Sequence, residues 1–133
     1  MYIYAVFVSE KMELEDAANL CSEALGLTAQ GGESDYAGVH YEIETSLDDG
    51  CSLSSNFAFD YEGDEQTWYT CDEEFSPNAV IVHVRTADPA SRVLAFFLDR
   101  PELFTLRKPM AVYRGRERIF EGYPPIPEAV LRS

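Results

Sequence analysis

The chain has 133 residues, the size of one ordinary domain, and 46% of them are apolar, with 8 Phe, 8 Tyr and 1 Trp. Such a composition can bury a core and excludes a disordered chain. Twenty-four acidic side chains against 10 basic ones give a net charge of −14, which repels nucleic-acid backbones and anionic membranes and favours basic partners.

The charge is divided along the chain. Residues 1–78 hold 18 acidic side chains and a single basic one, Lys11, for a net −17, whereas residues 79–133 hold 6 acidic and 9 basic, for a net +3. General salt adaptation would acidify the whole surface, so this block pattern predicts one strongly negative face. The alternative is that the acidity only keeps the protein soluble. The longest apolar run, Tyr2 to Val8, falls far short of the ~18 residues of a membrane helix and no basic leader precedes it, so the expected compartment is the cytoplasm. Cys21, Cys51 and Cys71 are widely spaced and include no Cys-x-x-Cys, so neither a disulfide framework nor a zinc knuckle is expected, and the thiols should be reduced and mostly buried.

Tyr2 to Val8, aromatic and β-branched throughout, predicts a first, central strand. From Glu13 to Leu25 the apolar positions Leu14, Ala17, Ala18, Cys21, Ala24 and Leu25 follow helical spacing, with Gly26 placed to cap the end. Thr28 to Asp35, with Gly31-Gly32, reads as a loop, and without a GxxxxGK it is no phosphate cradle. Val39-Tyr41-Ile43 and Leu53-Phe57-Phe59 alternate with polar residues and predict two half-buried strands, with a turn at Asp48-Asp49-Gly50 between them. Glu62-Gly63-Asp64 then separates Phe57-Ala58-Phe59 from Thr67-Trp68-Tyr69-Thr70 as a second hairpin, making the middle of the chain an antiparallel meander. Ala79 to Val84 is the most strand-like run, and Asp88-Pro89 after it predicts a second helix beginning at Pro89. That helix ends before Pro101, and Met110 to Tyr113 with Ile119-Phe120 reads as a terminal hairpin around Gly115, followed by an extended tail from Pro124. The order predicts a single α+β domain over residues 1–133, mainly an antiparallel sheet with two helices on one face, ferredoxin-like with inserted strands.

Catalytic constellations are scarce. His40-Tyr41-Glu42 matches the His-x-Glu of zinc nucleobase deaminases, but their Pro-Cys-x-x-Cys is absent from this sequence. His40, Glu42 and His83 are the residues from which a small-ligand or metal-binding enzyme site would be built. The acids from Asp60 to Glu74 offer oxygen ligands for a weak cation site but lack EF-hand spacing. No catalytic residue, cofactor or metal is therefore assigned.

The same acidic segment is interleaved with large aromatics, the combination that anchors and steers protein association. Asp60, Tyr61, Glu62, Asp64, Glu65, Trp68, Tyr69, Asp72, Glu73 and Glu74 are the expected partner-binding residues; the competing expectation is that Trp68 and Phe75 belong to the core and the acids to a solvated rim. The late cations Arg107, Lys108, Arg114, Arg116 and Arg118 are expected partly to pair with the chain's own carboxylates, and those near the hairpin tip to be solvated. By size, charge and lack of catalytic motifs, the sequence is built like an inhibitor that covers a basic active site, as nuclease-blocking immunity proteins do. That is an analogy of class. The expected function is a non-catalytic, immunity-type module that binds a basic protein such as a nuclease toxin, with no direct contact to nucleic acid or membrane and either a monomeric or a homodimeric state. The alternatives are a mimic of DNA and an enzyme or ligand-binding protein using His40, Glu42 and His83.

Overall fold

A computed structural model describes residues 1–34, 38–63 and 65–132. In chain order the elements are β1 (Tyr2–Ser9), α1 (Leu14–Leu25), β2 (Gln30–Ser34), β3 (Gly38–Ser46), β4 (Asp49–Ser55), β5 (Phe57–Glu62), β6 (Glu65–Thr70), β7 (Val80–Thr86), α2 (Arg92–Leu98), β8 (Thr105–Leu106), β9 (Met110–Arg114), β10 (Glu117–Gly122) and α3 (Glu128–Leu131). The fold is α+β. Its main sheet is antiparallel, ordered β10-β9-β1-β7-β4-β3-β2, with β8 also paired to β1, while β5 and β6 form a separate two-stranded sheet.

Strand alternation sorts the main sheet into two faces. Ile3, Ala5 and Phe7 of β1, Val80, Val82 and Val84 of β7, Cys51 and Leu53 of β4, Ile43 of β3, and Met110 and Val112 of β9 join one buried cluster. That cluster also takes in Ala17, Cys21 and Leu25 of α1 and Val93, Leu94, Phe96 and Phe97 of α2. Phe97 sits at its centre, stacked on Phe7 at 5.3 Å and meeting Phe96 and Phe104 edge-on at 4.9 Å. The opposite face of the sheet carries Tyr4, His83 and Arg85, all exposed.

The first helix ends as its sequence predicts: Gly26 adopts the left-handed conformation, φ 66°, and its N–H returns to the last turn, where any side chain would be strained. Elsewhere the structure corrects the sequence reading. Thr28 to Asp35 is not all loop, because Gln30–Ser34 pairs with β3 as an edge strand. The Leu53-to-Phe59 alternation is broken at Asn56, so Leu53 lies in the main sheet and Phe57 and Phe59 in the small one. Asp49 and Gly50 begin β4 rather than lying in a turn. The second helix begins at Arg92, capped by Ser91, whose Oγ accepts the Leu94 N–H at 3.2 Å. Asp88 instead closes a local turn by accepting the Ala90 N–H at 2.8 Å. The tail from Pro124 includes the short third helix, α3, whose Val130 packs against the core with Ile126. Cys21 and Cys51 are buried as expected, but Cys71 is exposed.

Candidate functional site

The β5–β6 hairpin turns at Gly63, φ 62°. Its register sets Phe59 opposite Trp68, Asp60 opposite Thr67 and Ala58 opposite Tyr69, and directly opposed residues share a face. Phe57, Phe59 and Trp68 therefore lie on one side of the ribbon, with the Phe57 and Phe59 rings 5.5 Å apart. Asp60, Glu65 and Tyr69 lie on the other. Trp68 is 61% exposed and Tyr69 50% exposed, so the expectation that Trp68 is a core residue does not hold. Phe75, by contrast, is half-buried beneath the Arg107 guanidinium, 5.3 Å from the ring centre.

The expected partner-binding residues divide accordingly. Asp60, Glu65, Trp68, Tyr69, Glu73 and Glu74 are exposed. Asp72 is half-buried and joined to Arg107 at 2.5 Å, and Glu74 meets the same guanidinium at 2.9 Å. The Arg107 hydrogen bond holds the Asp72 carboxyl below the usual carboxylate range, reinforced by the Glu74 N–H and outweighing the opposite effect of burial. These two acids fold the loop onto the sheet. Asp64 lies outside the described residues, as do the side chains of Tyr61 and Glu62, whose backbones pair with Gln66 and Glu65.

A residue missed in the sequence places this whole unit. Asn56 is fully buried between β4 and β5, and its Nδ2 donates to the carbonyls of Asp72, Ser76 and Phe75 at 2.8, 3.1 and 3.3 Å. Its Oδ1 accepts the Asp72 N–H at 2.8 Å. Through its backbone, Asn56 donates to Ala79 and accepts from Cys71. One amide therefore fixes both the root of the hairpin and the loop that returns from it. A lone Asn between two alternating runs carries no local signal of this role, since its partners lie 16 to 20 residues away.

The histidine alternative is assembled only in part. Glu42 and His83 line one shallow hollow on the uncovered sheet face, but both pair with Ser52 of the intervening β4, which puts their backbones about 10 Å apart. His40 does not line that hollow. Its ring lies over Gly32, where a Cβ would come within 2.8 Å of Nε2, and its Nδ1 is buried with no hydrogen-bond partner among the described residues. Desolvation, with a smaller contribution from Lys108, holds the His83 imidazole below its ordinary pKa. Among the described residues no three or more His, Cys, Asp or Glu side chains are grouped to hold a metal ion, and no helix is long and apolar enough to cross a membrane.

Of the late cations, Arg107 and Arg118 pair with the chain's own carboxylates. Arg118 is not simply solvated: it meets Glu121 at 2.7 Å and donates to the Tyr113 hydroxyl. No protein-family model matches the chain, and no curated protein or solved structure matches it either.

Proposed function

We propose that the chain is a non-catalytic binding module, an immunity-type inhibitor that captures a basic protein such as a nuclease toxin in the cytoplasm through the β5–β6 hairpin and the loop behind it. The observation that carries this reading is the exposure of Trp68 and Tyr69 on a two-stranded ribbon outside the main sheet. Tyr69 stands on the same side of the ribbon as Asp60 and Glu65 and Trp68 on the other, which suits a partner that grips the ribbon from both sides, with the aromatics supplying affinity and Asp60, Glu65 and Glu73 steering a cationic protein. No cofactor or metal enters the reading. The finer description of the fold as ferredoxin-like is supported by the strand order β9-β1-β7-β4 at the centre of the sheet, with α1 and α2 as the crossovers and β2, β3, β5, β6, β8 and β10 as additions.

The DNA-mimic alternative needs carboxylates spaced along one surface at phosphate-like intervals. Exposed acids here are spread over α1, the hairpin and the loop behind it, Glu42 and Glu44 on the uncovered sheet face, and Glu117, Glu121 and Glu128 near the C-terminal end, which weighs against it. The test is retention of a basic protein from a lysate of the chain's own source on the immobilised protein, with salt raised in steps. Loss of that retention both in Trp68→Ala and in an Asp60→Asn, Glu65→Gln, Glu73→Gln variant supports the reading. Retention indifferent to both variants refutes it, and displacement by duplex DNA would restore the mimic.

A further inference from the structure

The uncovered face of the main sheet holds a second hollow, of about 540 Å³, between β1 and the terminal hairpin. Val6 of β1 and Ala111 of β9 lie on adjacent strands at its floor. Tyr4 and Tyr113 stand beside them, their rings edge to face at 5.4 Å. The small Ala111 side chain directly opposite Tyr4 leaves the space open. The volume is within the usual range for small-molecule sites, and the apolar floor is ringed by the charged and polar side chains of His83, Lys108, Arg118 and Glu121.

The polar groups are chiefly hydrogen-bond donors. Lys108, His83 and Arg118 line the hollow, and its one carboxylate, Glu121, already receives Arg118. The Tyr113 hydroxyl also accepts from Arg118, at 2.7 and 3.0 Å, and so holds the guanidinium in place. The neighbouring cations are used differently. Arg107 turns to Asp72 and Glu74, while the exposed Lys108 makes no hydrogen bond or ion pair among the described residues. In a chain of net charge −14, an ammonium without a carboxylate beside an aromatic-walled hollow is an acceptor-seeking site.

We propose that this hollow binds a small planar molecule bearing one anionic group, a carboxylate or a phosphate, with its ring against Tyr4, Tyr113 and Val6 and its anion at Lys108. A small ligand is favoured over a polyanion because the remainder of the surface repels extended negative charge. The site is separate from the aromatic hairpin, so its occupancy does not depend on the proposed protein partner.

The test is titration of the full chain with 1-naphthoate, 1-naphthyl phosphate and the uncharged 1-naphthamide, followed by amide NMR and repeated with Lys108→Gln. Saturable shifts at Val6, Ala111 and Tyr113 are expected for an anionic probe, with affinity about tenfold or more above that of the amide, a margin that Lys108→Gln removes. Whichever anion binds more tightly identifies the source as carboxylate or phosphate. Equal binding of all three probes, no saturable shift with either anion, or a margin that survives Lys108→Gln would overturn the proposal. Lys108 is exposed, so an unchanged melting curve separates lost binding from lost folding.

Discussion

Replacing Asn56 by Ala should loosen the whole hairpin unit. The side chain makes four hydrogen bonds to backbone groups of Asp72, Phe75 and Ser76 at 2.8 to 3.3 Å from a fully buried position. At about 1 kcal/mol net for each bond, less what water recovers in the opened loop, the loss is about 3 kcal/mol. That corresponds to a roughly hundredfold rise in the open population and, if it reports on global unfolding, to a melting temperature lower by roughly 10 °C. Denaturant melts measure the global cost, and hydrogen exchange at the Asp72 and Cys71 amides measures the local one. Asn56→Asp is the sharper variant because it keeps the shape but turns an oxygen toward three carbonyls. It should be at least as damaging as Ala. A melt and exchange pattern close to wild type in Asn56→Ala, or a well-tolerated Asn56→Asp, would show that the amide does not organise the loop.

Trp68→Ala should leave the melting temperature nearly unchanged, because the ring is 61% exposed, and on the proposed binding role should cost about 2 kcal/mol, roughly thirtyfold, in affinity for the captured basic protein by calorimetry. Ser91→Ala removes the cap of α2 and the donor to Asp49 Oδ1 at 2.5 Å, and should lower stability in urea by about 1 to 2 kcal/mol. Asp49 also sets an acid limit. Burial raises its pKa, but hydrogen bonds from Ser91, Thr45 and Thr86 together bring it below its ordinary value. A depressed folded-state carboxyl stabilises fully above its unfolded pKa of about 3.9 and loses that contribution as pH falls through the folded value. Stability should therefore fall at the acid end of a pH series, and more shallowly in Ser91→Ala; identical slopes would remove Asp49 from the account.

Elements whose own side chains carry the pattern were legible in the sequence. Ala17, Cys21 and Leu25 repeat at helical spacing and are buried together, and Val80, Val82 and Val84 alternate into the same core. The β2 strand was not legible, since Gln-Gly-Gly-Glu-Ser has little strand propensity of its own and is held by its ladder to β3. Nor was the start of α2. Asp88 and Ser91 are both capable caps, and the choice follows from Asp49, 42 residues earlier, which binds the Ser91 hydroxyl. At the candidate site the hairpin turn and the aromatic-acidic mixture were readable, but the division of its acids was not. Only the fold brings Arg107 across 35 residues to Asp72, taking Asp72 and Glu74 into the architecture and leaving Asp60, Glu65 and Glu73 outward.

This division gives the block of charge in the sequence a physical meaning. The late cations are largely engaged internally: Arg107 with Asp72 and Glu74, Arg118 with Glu121, Arg132 with Glu128. Arg100 bonds the Phe96 carbonyl and lies over its ring, and Arg92 reaches the Leu25 carbonyl. Cations tied to backbone carbonyls or to a few acids leave most carboxylates of residues 1–78 unbalanced, so the excess acts as a field on solvent rather than as a set of internal bridges. Such a field accelerates encounter with a cationic protein but adds little affinity at physiological salt, where charges farther apart than about 8 Å are screened. Affinity for the proposed partner must come from groups desolvated on contact: the exposed Tyr69 on the side of the ribbon that carries Asp60 and Glu65, and the exposed Trp68 on the other. On this account, neutralising Asp60, Glu65 and Glu73 slows association and flattens its salt dependence, whereas removing Trp68 speeds dissociation. Stopped-flow rates that shift the other way round would separate the acidity from recognition and return it to a role in solubility alone.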